Sequence, residues 1–110
     1  MGKSLLQAKK LEEALSEFKE ARRQAPEMTN IHMVIGQIYS RQSKYSHAEE
    51  SFRRATSLDP LSPQPLLALG KLYLRKGQLG KAEEEFRSVL VVMPNSELAL
   101  VGLGNIALKQ

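Results

Sequence analysis

Pro26, Pro60 and Pro94 recur every 34 residues, and no other feature of this sequence narrows its fold as much. A fixed period of that length marks one supersecondary unit copied along the chain. Phe18, Phe52 and Phe86 keep the same interval and are all the phenylalanine the sequence has. So do Ala14, Ala48 and Ala82, and the glycines Gly2, Gly36, Gly70 and Gly104. Looser columns run through Leu11, Tyr45 and Leu79, and through Leu5, Tyr39, Tyr73 and Ala107. A unit this short cannot bury both faces of its helices alone, so stacked copies must share one core.

Two helical patterns alternate inside each period. Ile31, Val34, Ile35, Ile38 and Tyr39 step by three and four, which places them on one helix face. After the polar break Arg41-Gln42-Ser43-Lys44, a second face carries Tyr45, Ala48, Phe52, Ala55 and Leu58. Pro60 stops it, because proline cannot continue a helix and turns the preceding residue away from helical geometry. In the next period Gly77 marks the break and Pro94 the stop. Thr29, Ser62 and Asn95 or Ser96 stand where N-caps are expected, and Pro63 and Pro65 suit a first helical turn. The expected helices are 2–8, 11–24, 30–42, 45–58, 64–76, 79–92 and 97–110, seven in all. Gly36, Gly70 and Gly104 are expected to allow close helix approach, at a helix-propensity cost of about 1 kcal/mol each.

These columns resemble the tetratricopeptide repeat, a 34-residue helix–turn–helix unit, over essentially the whole chain. The family pattern reads here as Leu66, Leu69-Gly70, Tyr73, Ala82, Phe86, Val89 and Pro94, and one period earlier as His32, Ile35-Gly36, Tyr39, Ala48, Phe52, Ala55 and Pro60. His32 departs from it by replacing a large apolar residue, and Ala107 by replacing a tyrosine. The resemblance implies an all-α, right-handed superhelical solenoid of antiparallel helix pairs, about three repeats in a single domain, 1–110. The divisions are a partial repeat 1–28, repeats 29–62 and 63–96, and a half repeat 97–110. The last stretch, Glu97–Leu108, is apolar nearly all round, whereas a capping helix carries a polar outer face. The expectation is a segment of a longer solenoid; the alternative is a complete chain whose terminal helix docks onto a partner or a second copy.

Composition removes several function classes. The 110 residues contain no cysteine, which excludes disulfides, thiolate metal sites and cysteine nucleophiles. His32 and His47 have no acidic or thiol partner at ligand spacing, so no metal or other cofactor is expected. His32 sits in an apolar column and is expected to be packed, while His47 has charged neighbours and is expected to be solvated. Glu12-Glu13 and Glu83-Glu84-Glu85 could suggest acid–base chemistry, but Glu49 with Arg53 and Glu83 with Arg87 are i,i+4 helix pairs on solvated faces. No phosphate-cradling loop or nucleophile–histidine–acid set is present, so the chain is expected not to be an enzyme. No run reaches the roughly 20 apolar residues of a membrane helix, and the N-terminus turns charged too early for a signal peptide. The compartment stays open, with the cytoplasm favoured. A net charge of +4, with Lys9-Lys10, Arg22-Arg23 and Arg53-Arg54, leaves a nucleic-acid-binding helical repeat as a lesser alternative. It is weakened by 5% aromatic content, with Tyr39 and Tyr73 in core columns rather than on stacking platforms.

The family resemblance implies that the first helix of each repeat lines a concave groove. Helix geometry then selects rows: Met33, Leu67 and Val101; Lys3, Gln37, Lys71 and Asn105; Leu6, Ser40, Leu74 and Leu108; Gln7, Arg41, Arg75 and Lys109; and Asn30, Gln64 and Leu98. The expected ligand is a protein or peptide with apolar and acidic groups. Met33, Leu67, Leu74 and Val101 would meet the apolar groups, Gln37, Lys71 and Asn105 the backbone or carboxylates, and Arg41 and Arg75 the acids. Cations near helix C-termini also favour the helix dipole, which accounts for Arg41, Arg75 and Lys109 without a ligand. Chaperone-tail binders of this family carry a lysine–asparagine–arginine carboxylate clamp. The corresponding places hold Met33, Gln37, Ala68, Leu98 and Gly102, so that clamp is absent. Self-association, the alternative function, would use Leu98, Val101 and Leu108.

Overall fold

The computed structural model describes residues 5–109, which form six α-helices and no strand. They are α1 (Leu5–Gln24), α2 (Thr29–Arg41), α3 (Tyr45–Leu58), α4 (Pro63–Arg75), α5 (Leu79–Val92) and α6 (Glu97–Lys109). The chain divides into two compact units, Met1–Leu58 and Asp59–Gln110. In the first, α2 packs on both α3 and α1. In the second, α5 packs on α4 and α6, and α4 also touches α6.

The hairpins α2–α3 and α4–α5 are built the same way. Each first helix ends with a residue in the left-handed region, Ser43 at φ 62° and Gly77 at φ 76°. The Lys44 N–H then reaches back to the Tyr39 carbonyl, and the Gln78 N–H to that of Tyr73, both at 2.9 Å. With Ser43 N–H on Ser40 and Gly77 N–H on Leu74, these bonds make two Schellman closures that satisfy otherwise orphaned helix-end carbonyls. The second helix then folds back and buries its alanine–phenylalanine face.

The glycine column sets how closely the helices approach. A methyl built on Gly36 would lie 2.5 Å from Phe52 Cε1, and one on Gly70 would lie 2.7 Å from Phe86 Cε1. In each hairpin, therefore, a phenylalanine ring occupies the space a β-carbon would need. Phe86 is also approached from α6, where a methyl on Gly102 would lie 2.6 Å from its Cζ. The expectation for Gly104 is not met: nothing lies within 4 Å of its hypothetical β-carbon. Gly102, which faces α5, makes the close approach of α6 instead.

The core repeats the columns. Ile35, Ala48, Ala55, Leu69, Tyr73, Ala82 and Val89 are fully buried, and Phe52 and Phe86 nearly so. Tyr39 and Tyr73 are buried as expected, and the residue at one repeat position in the following helix approaches each ring. The His47 ring centroid is 5.0 Å from that of Tyr39, and Lys81 Nζ is 5.7 Å from that of Tyr73.

The N-terminal helix departs from expectation. A break was expected near residues 9 and 10, but α1 runs unbroken from Leu5 to Gln24. The repeat register puts Lys9 where Ser43 and Gly77 take positive φ. Ala8, Lys9 and Lys10 are good helix formers, and a lysine gains nothing from the left-handed region, so the helix continues. Six helices result instead of seven. The first expected helix, 2–8, survives only as the start of α1, and Met1, Gly2 and Lys3 lie outside the described residues.

The caps match the sequence expectation in part. Ser96 Oγ accepts the Ala99 N–H at 3.3 Å, as an N-cap should. Thr29 is the first helical residue and not the cap, which is Met28. Ser62 occupies the cap of α4 but makes no capping bond. Pro65 removes the N–H three residues on, and the Ser62 hydroxyl donates instead to Gln64 Oε1 at 3.1 Å.

Candidate functional site

The row residues of the first helices fall on faces turned away from the buried columns. On α2, Met33 is half-buried, and Gln37 and Arg41 follow at i+4 and i+8, both exposed. On α4, Leu67 and Leu74 are half-buried, and Lys71 and Arg75 are exposed. On α6, Val101, Asn105, Leu98 and Leu108 are all exposed, Leu108 to 87%. Each helix therefore divides into a buried stripe and a row stripe, as its 3.6-residue period requires. Of the remaining row members, Lys3 lies outside the described residues, and Leu6 belongs to the first turn of α1.

Two local groupings follow. In the first unit, Arg41 joins Gln7, Lys10 and Leu11 of α1 around a shallow cavity of about 250 Å³. Gln7 and Arg41 were expected to share a row; Lys10 and Leu11 were not placed there, because the unbroken α1 that carries them beside Gln7 was not foreseen. In the second unit α4 and α6 touch; α4 carries the stripe of Leu67, Lys71, Leu74 and Arg75, and α6 that of Leu98, Val101, Asn105 and Leu108. Half-buried leucines and two cations thus alternate on one helix, and exposed apolar side chains and an amide on the other. Such a surface can desolvate apolar side chains while its cations take carboxylates.

His32 is a structural residue. It is 1% exposed, and its Nε2–H donates to the Pro26 carbonyl at 2.7 Å. Its Nδ1 is buried without a partner. The ring thus ties α2 to the segment that follows α1, which is what a polar residue can do in an otherwise apolar column. His47 is exposed, as expected.

The charged backs of the helices form local pairs. Arg53 Nε donates to Glu49 Oε2 at 3.3 Å, and Arg87 lies 2.8 Å from Glu83 Oε2. Lys19, Arg22, Arg23 and Arg54 gather with Ser16, Glu20, Pro26 and Glu50 around a depression of about 620 Å³. Arg23 is 2.7 Å from Glu20 and, with a smaller contribution from Gln24, holds that carboxyl below its ordinary pKa. Acidic groups interleave the basic ones and no aromatic ring lines the depression, so it lacks the stacking surface a single-stranded nucleic acid uses. Among the described residues, no group of three or more His, Cys, Asp or Glu side chains could hold a metal ion. No described helix is long and apolar enough to cross a membrane.

Two family profiles match the chain, both described as tetratricopeptide repeat, over residues 1–63 and 51–84. No curated protein matches it in sequence. Several solved structures share its fold. A thermophilic TPR protein of Thermus thermophilus, TTC0263, is 29% identical, with a TM-score of 0.86 over 97% of this chain and 55% of that one. The first TPR of Spaghetti (RPAP3), bound to the HSP90 peptide SRMEEVD, is 20% identical, with a TM-score of 0.84 over 94% of this chain and 82% of that one. The type III secretion chaperone SycD of Yersinia enterocolitica, in complex with a peptide of the translocator YopD, is also 20% identical with a TM-score of 0.84. That match covers 94% of this chain and 85% of SycD.

Proposed function

Since the chain belongs to the tetratricopeptide repeat family, we propose that it is a non-catalytic protein-interaction module that takes a peptide or partner segment on the stripes of its first helices. What supports this reading is the mixed composition of the row faces of α4 and α6 in the second unit. Leu67, Leu74, Leu98 and Val101 offer apolar contact beside Lys71, Arg75 and Asn105, on helices that touch. In the first unit, Met33, Gln37 and Arg41 form the corresponding stripe of α2, with Lys10 beside Arg41. The preferred ligand has apolar anchors spaced among carboxylates. Peptide-bound relatives such as the Spaghetti repeat and SycD support the class of ligand.

A chaperone tail ending in EEVD is not the proposed ligand. The clamp positions hold Met33, Gln37, Ala68, Leu98 and Gly102. Gly102 is packed against the Phe86 ring so closely that an arginine there would displace it.

The test is fluorescence anisotropy with labelled peptides of matched apolar content and opposite charge. Arg41→Glu/Arg75→Glu should weaken the acidic series by about tenfold or more, equivalent to about 1.4 kcal/mol, and spare the neutral series. Equal binding of acidic peptides by both proteins would discard the basic stripe as a determinant.

A second reading is self-association through α6. Leu98, Val101 and Leu108, exposed to 55, 59 and 87%, favour it, since large apolar surfaces in water mark docking sites.

A further inference from the structure

α6 and α1 have complementary incomplete faces. The positions that α4 buries against α5 are Leu66, Leu69, Gly70 and Tyr73, with none of the three large side chains more than 7% exposed. One period later α6 carries Leu100, Leu103, Gly104 and Ala107. Leu100 is 52% exposed, Leu103 is half-buried, and Gly104 and Ala107 are exposed. Nothing fills the space beside Gly104, where Gly36 and Gly70 each have a phenylalanine ring. This face differs from the row face of Leu98, Val101 and Leu108, and from the Ala99, Gly102 and Ile106 face that is buried.

The converse holds in α1. The alanine–phenylalanine face is fully buried in α3 (Ala48, Phe52, Ala55) and in α5 (Ala82, Phe86, Val89). In α1 the equivalent residues Ala14, Phe18 and Ala21 are only half-buried. The unbroken α1 explains this. No described segment folds back on the 11–24 stretch to cover that face as α2 covers that of α3.

We propose that α6 of one copy takes the 11–24 stretch of α1 from a second copy, so that the two chains build one composite repeat with Phe18 seated at Gly104. This rests on the second reading above, self-association through α6, but moves the contact to a different face of that helix and names the surface that meets it. The charges agree with an antiparallel stack. Lys109 falls at the end of α1 that carries Glu12 and Glu13, and Glu97 at the end that carries Arg22 and Arg23. The contact is heterologous: each copy contributes a different face and retains one of each.

Light scattering on the intact chain across about a thousandfold concentration range tests the proposal. The weight-average mass should rise well above that of one chain. Gly104→Arg fills an open, exposed helix position and should leave a folded monomer. Ala14→Arg puts a good helix former on the α1 face and should also give a monomer, with Ala21→Arg, two turns on, as a second α1 variant. Circular dichroism checks that each stays helical. Mixing Gly104→Arg with Ala14→Arg should restore association but halt it at 1:1 dimers, since each variant keeps one intact face. A wild-type monomer at every concentration would overturn both the proposal and the self-association reading. Wild-type-like association of both α1 variants would overturn the composite repeat alone, since α6 would then dock elsewhere. A mixture that stays monomeric would do the same.

Discussion

The hairpins α2–α3 and α4–α5 reach one architecture from partly different residues. Both place glycine against phenylalanine, and both bury an alanine and a tyrosine at equivalent positions. They differ where His32 stands for Leu66 and Ser43 for Gly77. The difference separates two kinds of repeat position. Where a contact is set by distance between backbones, as at Gly36 and Gly70, the residue does not vary. Where the need is to fill a space or close a helix end, another side chain serves if its polar atoms find partners or its strain is tolerable.

The first way to break the comparison is to truncate the shared rings. Phe52→Ala and Phe86→Ala should each cost about 3–5 kcal/mol in chemical denaturation. Because Phe86 is also packed against Gly102, Phe86→Ala should loosen α6 as well, visible as faster amide exchange at Ala99 and Ile106. The second is to fill the glycine column. Gly36→Ala and Gly70→Ala should cost about 1–3 kcal/mol despite better helix propensity, since the new methyl meets a buried ring. Gly104→Ala, with open space around it, should instead gain up to about 1 kcal/mol at concentrations where the chain is monomeric.

The third exchanges the column residue that differs. Leu66→His should cost about 2 kcal/mol, because a buried imidazole there replaces an apolar side chain. His32→Leu should gain about 1 kcal/mol by removing the unpartnered Nδ1, while water can solvate the carbonyl of the exposed Pro26. A loss of stability there would show that the tie to Pro26 outweighs the orphaned nitrogen. The smallest effect is at the turn. Ser43→Gly should gain about 0.5–1 kcal/mol by relieving positive φ, and Gly77→Ser should lose as much, both measured as midpoint shifts.

The regular part of this molecule was legible because its columns repeat. The bounds of α3 and α5 were read to the residue and those of α2, α4 and α6 within one, since proline stops and positive-φ turns recur in register. The sequence is less explicit where the repeat is imperfect. Lys9 holds the place of Ser43 and Gly77, and the sequence period alone does not say whether a lysine there ends a helix or extends it. Gly104 was placed in a packing column, but its ring partner has no counterpart within the described residues. The row residues follow from helix geometry; Gln37, Arg41, Lys71, Arg75, Val101 and Asn105 are exposed and Met33, Leu67 and Leu74 half-buried, and the peptide test above is what would assign them a role. Lys10 and Leu11 beside Arg41 were missed because their neighbourhood depends on the straight α1. The missing N–H three residues on from Ser62 follows from Pro65 in the sequence, and it is the signal that Ser62 caps poorly.

The glycine–phenylalanine contact has a consequence for how the chain folds. In both hairpins it joins residues only 16 apart, Gly36 to Phe52 and Gly70 to Phe86. Closing so short a loop costs little entropy, and chains dominated by such local contacts fold in roughly microseconds to milliseconds. Either hairpin can therefore nucleate on its own, and each can open and reclose without waiting for a distant segment. Amide exchange should accordingly report two separately protected blocks, with α1 fraying ahead of both.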